Sequence, residues 1–189
     1  MSWIRVEPND PRLAVFRERD RQLASAQRHP EAPDGLFLAE GDLVVERALD
    51  AGYQPVAVLC DDRKQIGVLE RLDPGVPVYV APATERVAAT GLGVALDVLG
   101  VFLRRPAPVA ADVLGTARRV VAFEAVDNPT NLGSIARTAL ALGADALVLD
   151  ATSADPFARR AVRASMGATL RLPAVRVGDW LAGLDTLAA

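Results

Sequence analysis

Short apolar runs alternate with helix-like segments along most of the chain, and that alternation confines it to the α/β class. Leu36-Phe37-Leu38-Ala39 is followed by a helical stretch from Asp42 to Ala51 and by a second run from Pro55 to Cys60. Asp62 to Leu72 then reads as helix, Val76 to Val80 as strand, Thr84 to Ala89 as a short helix, and Val94 to Leu103 as a strand interrupted at Gly100. A charged helical stretch from Pro11 to Ala26 and a Pro/Gly-containing loop from His29 to Gly35 precede this pattern. Pro106 and Pro108 deny both helix and central strand, which predicts a linker over 104–116 between a lobe at 1–103 and a second α/β lobe at 117–189. In the second lobe the spacing predicts strand from Arg119 to Ala125, helix from Leu132 to Leu142, strand from Asp145 to Leu149 and helix from Pro156 to Ser165. A short strand from Thr169 to Leu172 and a terminal helix from Asp179 to Leu187 complete it. Three parallel strands leave an open apolar edge, which another chain or a further segment has to cover.

Composition narrows the class of function. With 51% hydrophobic and 24% charged residues in 189, the chain is neither disordered, collagen-like nor a coiled coil. No apolar run approaches the roughly 18 residues of a membrane helix. The start, Met1 to Glu7, lacks the apolar stretch of a signal peptide, so a soluble cytoplasmic protein is expected. A single cysteine, Cys60, in an apolar run excludes an internal disulfide and a cysteine zinc cluster, and no metal is expected. The single histidine, His29, reads as a surface loop residue with no serine or cysteine elbow to serve, which removes triad hydrolases. Gly91-Leu92-Gly93 lacks the third glycine of a dinucleotide loop, and no Gly-x-x-x-x-Gly-Lys occurs. The net charge of −3 argues against coating nucleic acid by bulk charge, but it conceals a split. Residues 1–103 carry 11 basic against 16 acidic side chains and residues 104–189 carry 10 against 8, so a polyanion should prefer the second half.

Two segments there can carry chemistry. The first, Asp127-Asn128-Pro129-Thr130-Asn131-Leu132-Gly133-Ser134-Ile135-Ala136-Arg137, leaves the carboxyl end of a predicted strand, where open α/β sheets bind ligands. Asn131 can cap the helix and Gly133 can admit a close backbone or ligand, or the two are a plain cap and a packing glycine. Arg137 falls at the border of an expected buried stripe of Leu132, Ile135, Ala136, Ala139 and Leu142, either as a ligand contact or as a solvated arginine. The second segment runs from Asp155 to Ala168. Asp155-Pro156 starts a helix and Gly167 ends it. Arg159 and Arg160 both lie within one helical turn of Arg163, a mild repulsion that phosphate would relieve, although a solvated face is the alternative. Ser165 caps the helix or contacts a ligand, and spacing does not decide between them.

Taken together, Asn131-x-Gly133-x-x-x-Arg137, Asp155-Pro156 and Arg163-Ala164-Ser165-Met166-Gly167-Ala168 resemble the first two motifs of the SpoU (TrmH) family of RNA 2′-O-ribose methyltransferases. The likeness covers nearly all of 119–173, and Phe37-Leu38-Ala39-Glu40-Gly41 is similar to part of the family's N-terminal RNA-binding domain. It implies an L30e-like substrate lobe at 1–103 joined to a SPOUT-type (α/β knot) lobe at 117–189. It also implies S-adenosylmethionine as methyl donor, rRNA or tRNA as substrate, and a homodimer with active sites at the subunit interface. By the same resemblance Arg137 is the arginine proposed to help activate the ribose hydroxyl and Asn131 supports it. Arg163 and Ser165, with Arg159 and Arg160 on the same helix, face RNA, and Gly133 and Gly167 shape the loops.

The family's later Gly-Thr-Glu loop and Ser-Leu-Asn string, which form the knot and most of the donor site, do not occur before Ala189, so no cofactor-binding residue can be named. Either the chain is part of a longer enzyme, or it is an abbreviated relative that keeps RNA binding without chemistry. A small-molecule α/β domain holding an anion at the Asn131 loop is a third reading. On any of these the 189-residue chain is expected to bind S-adenosylmethionine weakly or not at all, and micromolar binding in isothermal titration would contradict that expectation.

Overall fold

The structure, a computed structural model, describes residues 3–61 and 66–181. The chain divides into two compact units, residues 1–105 and 106–189. In the first, the strands are β1 (Trp3–Arg5), β2 (Leu36–Glu40), β3 (Pro55–Cys60), β4 (Val78–Val80) and β5 (Val98–Leu103). They form one sheet in the order β1-β4-β3-β5-β2, in which β1, β4 and β3 are parallel and β5 runs antiparallel to both β3 and β2. Helices α1 (Asp20–Leu23), α2 (Asp42–Asp50) and α3 (Ala83–Thr90) connect them. Every residue of β2 is buried, because Leu36 and Leu38 enter a core with Phe16 and Leu99 while Phe37 stacks on Phe102 with ring centroids 5.5 Å apart. A strand covered on both faces reads as an unbroken apolar run, which is how β2 looks in sequence.

Four expectations for this unit change. The segment from Pro11 to Ala26 is not one helix. A 3₁₀ turn over Pro11–Arg17 ends at Glu18, which is extended, and α1 follows. Glu18 is buried, and its carboxylate accepts hydrogen bonds from Arg28 at 2.6 Å and pairs with His29 at 2.8 Å. His29 is therefore buried rather than a surface loop residue, because a carboxylate inside the unit holds it there. Gly100 does not interrupt its strand, since it pairs with both Ala39 and Val58, and a β-carbon there would run into the Phe102 ring. The glycine makes room for a side chain two residues away on the same face. The helix expected from Asp62 to Leu72 is, where described, a 3₁₀ turn over Gly67–Arg71; residues 62–65 lie outside the described residues. The three-residue β1 carries too short a pattern to be read from sequence.

The second unit contains α4 (Ala110–Leu114), β6 (Val120–Phe123), α5 (Pro129–Ala141), β7 (Ala146–Leu149), α6 (Arg159–Ala164) and β8 (Ala174–Arg176). Its three strands are parallel in the order β6-β7-β8, with Phe123 opposite Leu149 and Leu149 opposite Arg176. The expected linker over 104–116 contains α4, so it is not purely extended. The strand expected from Thr169 to Leu172 is a 3₁₀ turn over Ala168–Leu170, and β8 begins only after Pro173. The cause is a reversal at Met166 and Gly167, both at positive φ (53° and 80°), which no strand can contain. The terminal helix expected from Asp179 to Leu187 falls largely outside the described residues.

Helix α5 begins earlier than expected. Asn128, not Asn131, is its cap, accepting a hydrogen bond from the Thr130 N–H at 2.9 Å, and Pro129 occupies the first helical position. Its buried face is also rotated. Leu132, Gly133, Ala136 and Ala139 are inside, whereas Ile135 and Leu142, expected in the stripe, are 41% and 72% exposed. Gly133 explains the rotation: a β-carbon there would collide with the carbonyl oxygen of Ala161 and lie 3.1 Å from that residue's Cα. Helix α6 thus presses its main chain onto α5. Gly133→Ala gains about 1 kcal/mol of helix propensity but overpacks against a backbone that no rotamer can move, at about 1–3 kcal/mol. A net loss of stability is expected, read as a lower urea midpoint.

Candidate nucleic-acid interface

The loops that leave β6 and β7 meet at the carboxyl end of the sheet and are tied to each other there. The Asp150 N–H donates to the Phe123 carbonyl at 3.1 Å, and the Ala154 N–H donates to the Val126 carbonyl at 2.9 Å. The Asp150 carboxylate accepts from the Ala125 N–H at 3.1 Å on the first loop. On its own loop it accepts from the Thr152 hydroxyl at 2.7 Å, and from the Ser153 N–H and hydroxyl at 2.7 and 2.6 Å. The buried Ser153 oxygen in turn accepts from the Val126 N–H at 3.2 Å. Arg176, at the end of β8, donates to the carbonyls of Asp150 and, at 3.2 Å, Ala154. Ala125 stands at φ 52°, a conformation that costs a non-glycine residue on the order of 1 kcal/mol and persists only where its surroundings hold it.

From this tied edge the two helices carry the cationic groups. Arg137 lies one turn beyond Gly133 on α5 and is exposed, and among the described residues no hydrogen bond or ion pair engages it. Across the Gly133–Ala161 crossing, α6 bears Arg159 and Arg163, both half-buried, and the exposed Arg160. The two motif segments are therefore neighbouring helices, with Arg160 adjacent to the crossing residue in sequence and Arg163 two residues after it. Asn131 is exposed in the first turn of α5.

Ser165 stands elsewhere. It is fully buried, donating to the Val162 carbonyl at 3.0 Å, 3.2 Å from the Thr169 hydroxyl and accepting from the Thr169 N–H at 3.3 Å. Its hydroxyl is consumed in shaping the turn after α6, so the expectation that it contacts RNA is corrected to a structural role. Gly167 shapes the same turn at φ 80°. No group of His, Cys, Asp or Glu among the described residues could hold a metal. The Asp150-Ala151-Thr152-Ser153 cluster was not singled out in the sequence, although an aspartate followed by hydroxyl residues after an apolar run is the pattern of a side-chain-capped turn.

The hydroxyls of Ser153 and then Thr152, with the N–H groups of Ala125 and Ser153, hold the Asp150 carboxyl well below the usual carboxylate range. Asp145, at the opposite end of β7, is lowered by the N–H groups of Arg119 and Arg118, which it accepts at 2.8 and 2.9 Å. Folding thus leaves both groups with fewer bound protons than the unfolded chain has below the ordinary value of 3.8. Their stabilisation is complete above that value and is lost as the pH falls through the native ones. Thermal unfolding should show a midpoint that drops from about pH 5 downward, with a shallower drop in Asp150→Asn.

Residues 118–189 match the SpoU rRNA Methylase family. An uncharacterised tRNA/rRNA methyltransferase of Mycobacterium tuberculosis is 41% identical over 184 residues, 96% of this chain and 62% of that protein. The 23S rRNA (guanosine(2553)-2′-O)-methyltransferase of Bacillus subtilis is 32% identical over 140 residues, 74% of this chain and 54% of that one. The AdoMet-bound rRNA methyltransferase of Sinorhizobium meliloti superposes with a TM-score of 0.77 at 26% identity, covering 98% of this chain and 69% of that chain. The chain spans 62% of the length of the mycobacterial relative. The mixed α/β architecture with parallel strands is that of these methyltransferases. With the second unit matched from Arg118 onward and this likeness extending through the first, the chain belongs to the SpoU rRNA methylase family.

Proposed function

We propose that this chain belongs to an enzyme that transfers a methyl group from S-adenosylmethionine to a ribose 2′-hydroxyl of rRNA or tRNA. The observation that carries the reading is Arg137, an exposed guanidinium without a partner among the described residues, one turn beyond the crossing of α5 with the arginine-bearing α6. A ribose hydroxyl is a poor nucleophile at neutral pH, and a cation beside it stabilises the negative charge that develops on its oxygen as the proton leaves. The guanidinium, with a pKa above about 12, cannot itself take that proton, so Arg137 orients and stabilises the oxygen. Asn131, exposed in the first turn of the same helix, supports that arginine. Arg159, Arg160 and Arg163 bind the phosphates that flank the target nucleotide, and such contacts set register without reading bases.

S-adenosylmethionine supplies an electrophilic methyl carbon when bound. The mixed five-stranded sheet of the first unit supports its reading as an L30e-like RNA-binding lobe over 1–103, with 117–189 a partial SPOUT lobe. The exposed Ile135 of α5 and Leu142 just after it, on a side of the helix away from Arg137, support the reading of a homodimer. No helix among the described residues is long and apolar enough to cross a membrane, which accords with a cytoplasmic site of action.

Filter binding of the chain to an unmodified 23S rRNA transcript tests the RNA side. Affinity should fall steeply with salt, and Arg160→Ala and Arg163→Ala should each reduce the log–log salt slope by about 1. A flat salt response overturns RNA binding. In the intact protein Arg137→Ala should abolish methyl transfer with only a modest loss of affinity, whereas a non-catalytic RNA-binding protein has no turnover to lose.

A further inference from the structure

We infer that Asp150 is a positioning residue for the RNA-facing arginines: its carboxylate binds the loop before α5 through Ala125 and the loop before α6 through Thr152 and Ser153, and so sets where Arg137 stands relative to Arg160 and Arg163. The inference deepens the proposed function and rests on it. Three features of the geometry support it. The carboxylate accepts four hydrogen bonds divided between two loops, so no single-loop turn accounts for it. The residue it holds on the far loop, Ala125, is in a left-handed conformation that needs holding. The loops it joins are the ones from which the two arginine-bearing helices start, since Asn128 caps α5 five residues before Gly133 and Ala158 precedes α6. Displacing either loop moves one arginine set past the other, and misplacement by about 1 Å is enough to weaken a multi-point contact severely.

Asp145 provides the control. It ties the same two strands at their other end, accepting the N–H groups of Arg118 and Arg119, and lies a whole strand away from the helix starts. Both variants should lower the unfolding midpoint, and only Asp150→Ala should disturb the arginines. Hydrogen–deuterium exchange on the full chain reads this without RNA. Asp150→Ala should raise exchange over 124–134 and 152–160 while β6 and β7 stay protected, and Asp145→Ala should leave both segments unchanged.

With the 23S rRNA transcript as probe, Asp150→Ala should cost no more affinity than Arg137→Ala does, a modest loss of about threefold, and Asp145→Ala should leave affinity unchanged. In an Arg137→Ala background, Asp150→Ala should cost much less than it does alone, because the side chain it positions is gone. Asp150→Asn, which keeps one acceptor oxygen, should recover part of the affinity. Unchanged exchange over 124–134 overturns the positioning role whatever the RNA does. Equal affinity losses for Asp150→Ala and Asp145→Ala, or a full Asp150 penalty in the Arg137→Ala background, also overturn it, by showing a merely structural tie. Exchange as expected but no affinity loss on Arg137→Ala overturns the RNA reading and the role together.

Discussion

Where Gly133 of α5 meets the main chain of Ala161 on α6, two helices lie closer than any side chain at that position would allow. This approach rotates α5 about its axis, taking Leu132, Ala136 and Ala139 inward and leaving Ile135 and Leu142 in solvent. It also makes neighbours of the helix that carries Arg137 and the helix that carries three further arginines. A cationic surface of this kind is costly to assemble, because like charges on adjacent helices repel, and here tight backbone packing beneath them offsets the repulsion.

The second constraint is polar. Two aspartates bracket β7, Asp145 at its start and Asp150 at its end, and each converts a carboxylate into an acceptor for main-chain N–H groups of the neighbouring strand or loop. Such charge-assisted bonds are stronger than neutral ones, which suits a three-stranded sheet with little area to bury. At the carboxyl end the same chemistry recruits Ser153, Thr152 and Arg176, so the loops after β6 and β7 and the last residue of β8 share one network. The loops that carry the motifs are thereby fixed to the sheet instead of hanging from it.

In the first unit the polar groups are spent differently. Glu18 is buried with Arg28 and His29, and Arg86 is buried with Asp61 and with the carbonyls of Ala81 and Leu96. These pairs are internal, and a buried ion is tolerated where its partners satisfy it. The second unit instead leaves Arg137 and Arg160 at the surface. That contrast, more than the net charge, distinguishes the two units: these charges are paired inside the first, while two guanidiniums stay at the surface of the second.

Much of this was legible in the chain itself. The apolar runs at Leu36–Ala39, Pro55–Cys60 and Asp145–Leu149 marked strands, and Asn131, Gly133, Arg137 and Arg163 marked the two segments that share a surface, because strand burial and motif spacing are local properties. Elements governed by distant contacts were not legible. The cap at Asn128, the unbroken strand through Gly100, the buried His29 and the 3₁₀ turn at Ala168–Leu170 each depend on a partner or a backbone reversal that spacing does not encode. Sequence alone therefore determined the α/β class, the family and the two motif segments. Only the tertiary structure decided that Ser165 is spent inside a turn, that α5 turns Ile135 outward, and that Asp150 joins the two loops, since each outcome follows from which groups meet across the fold.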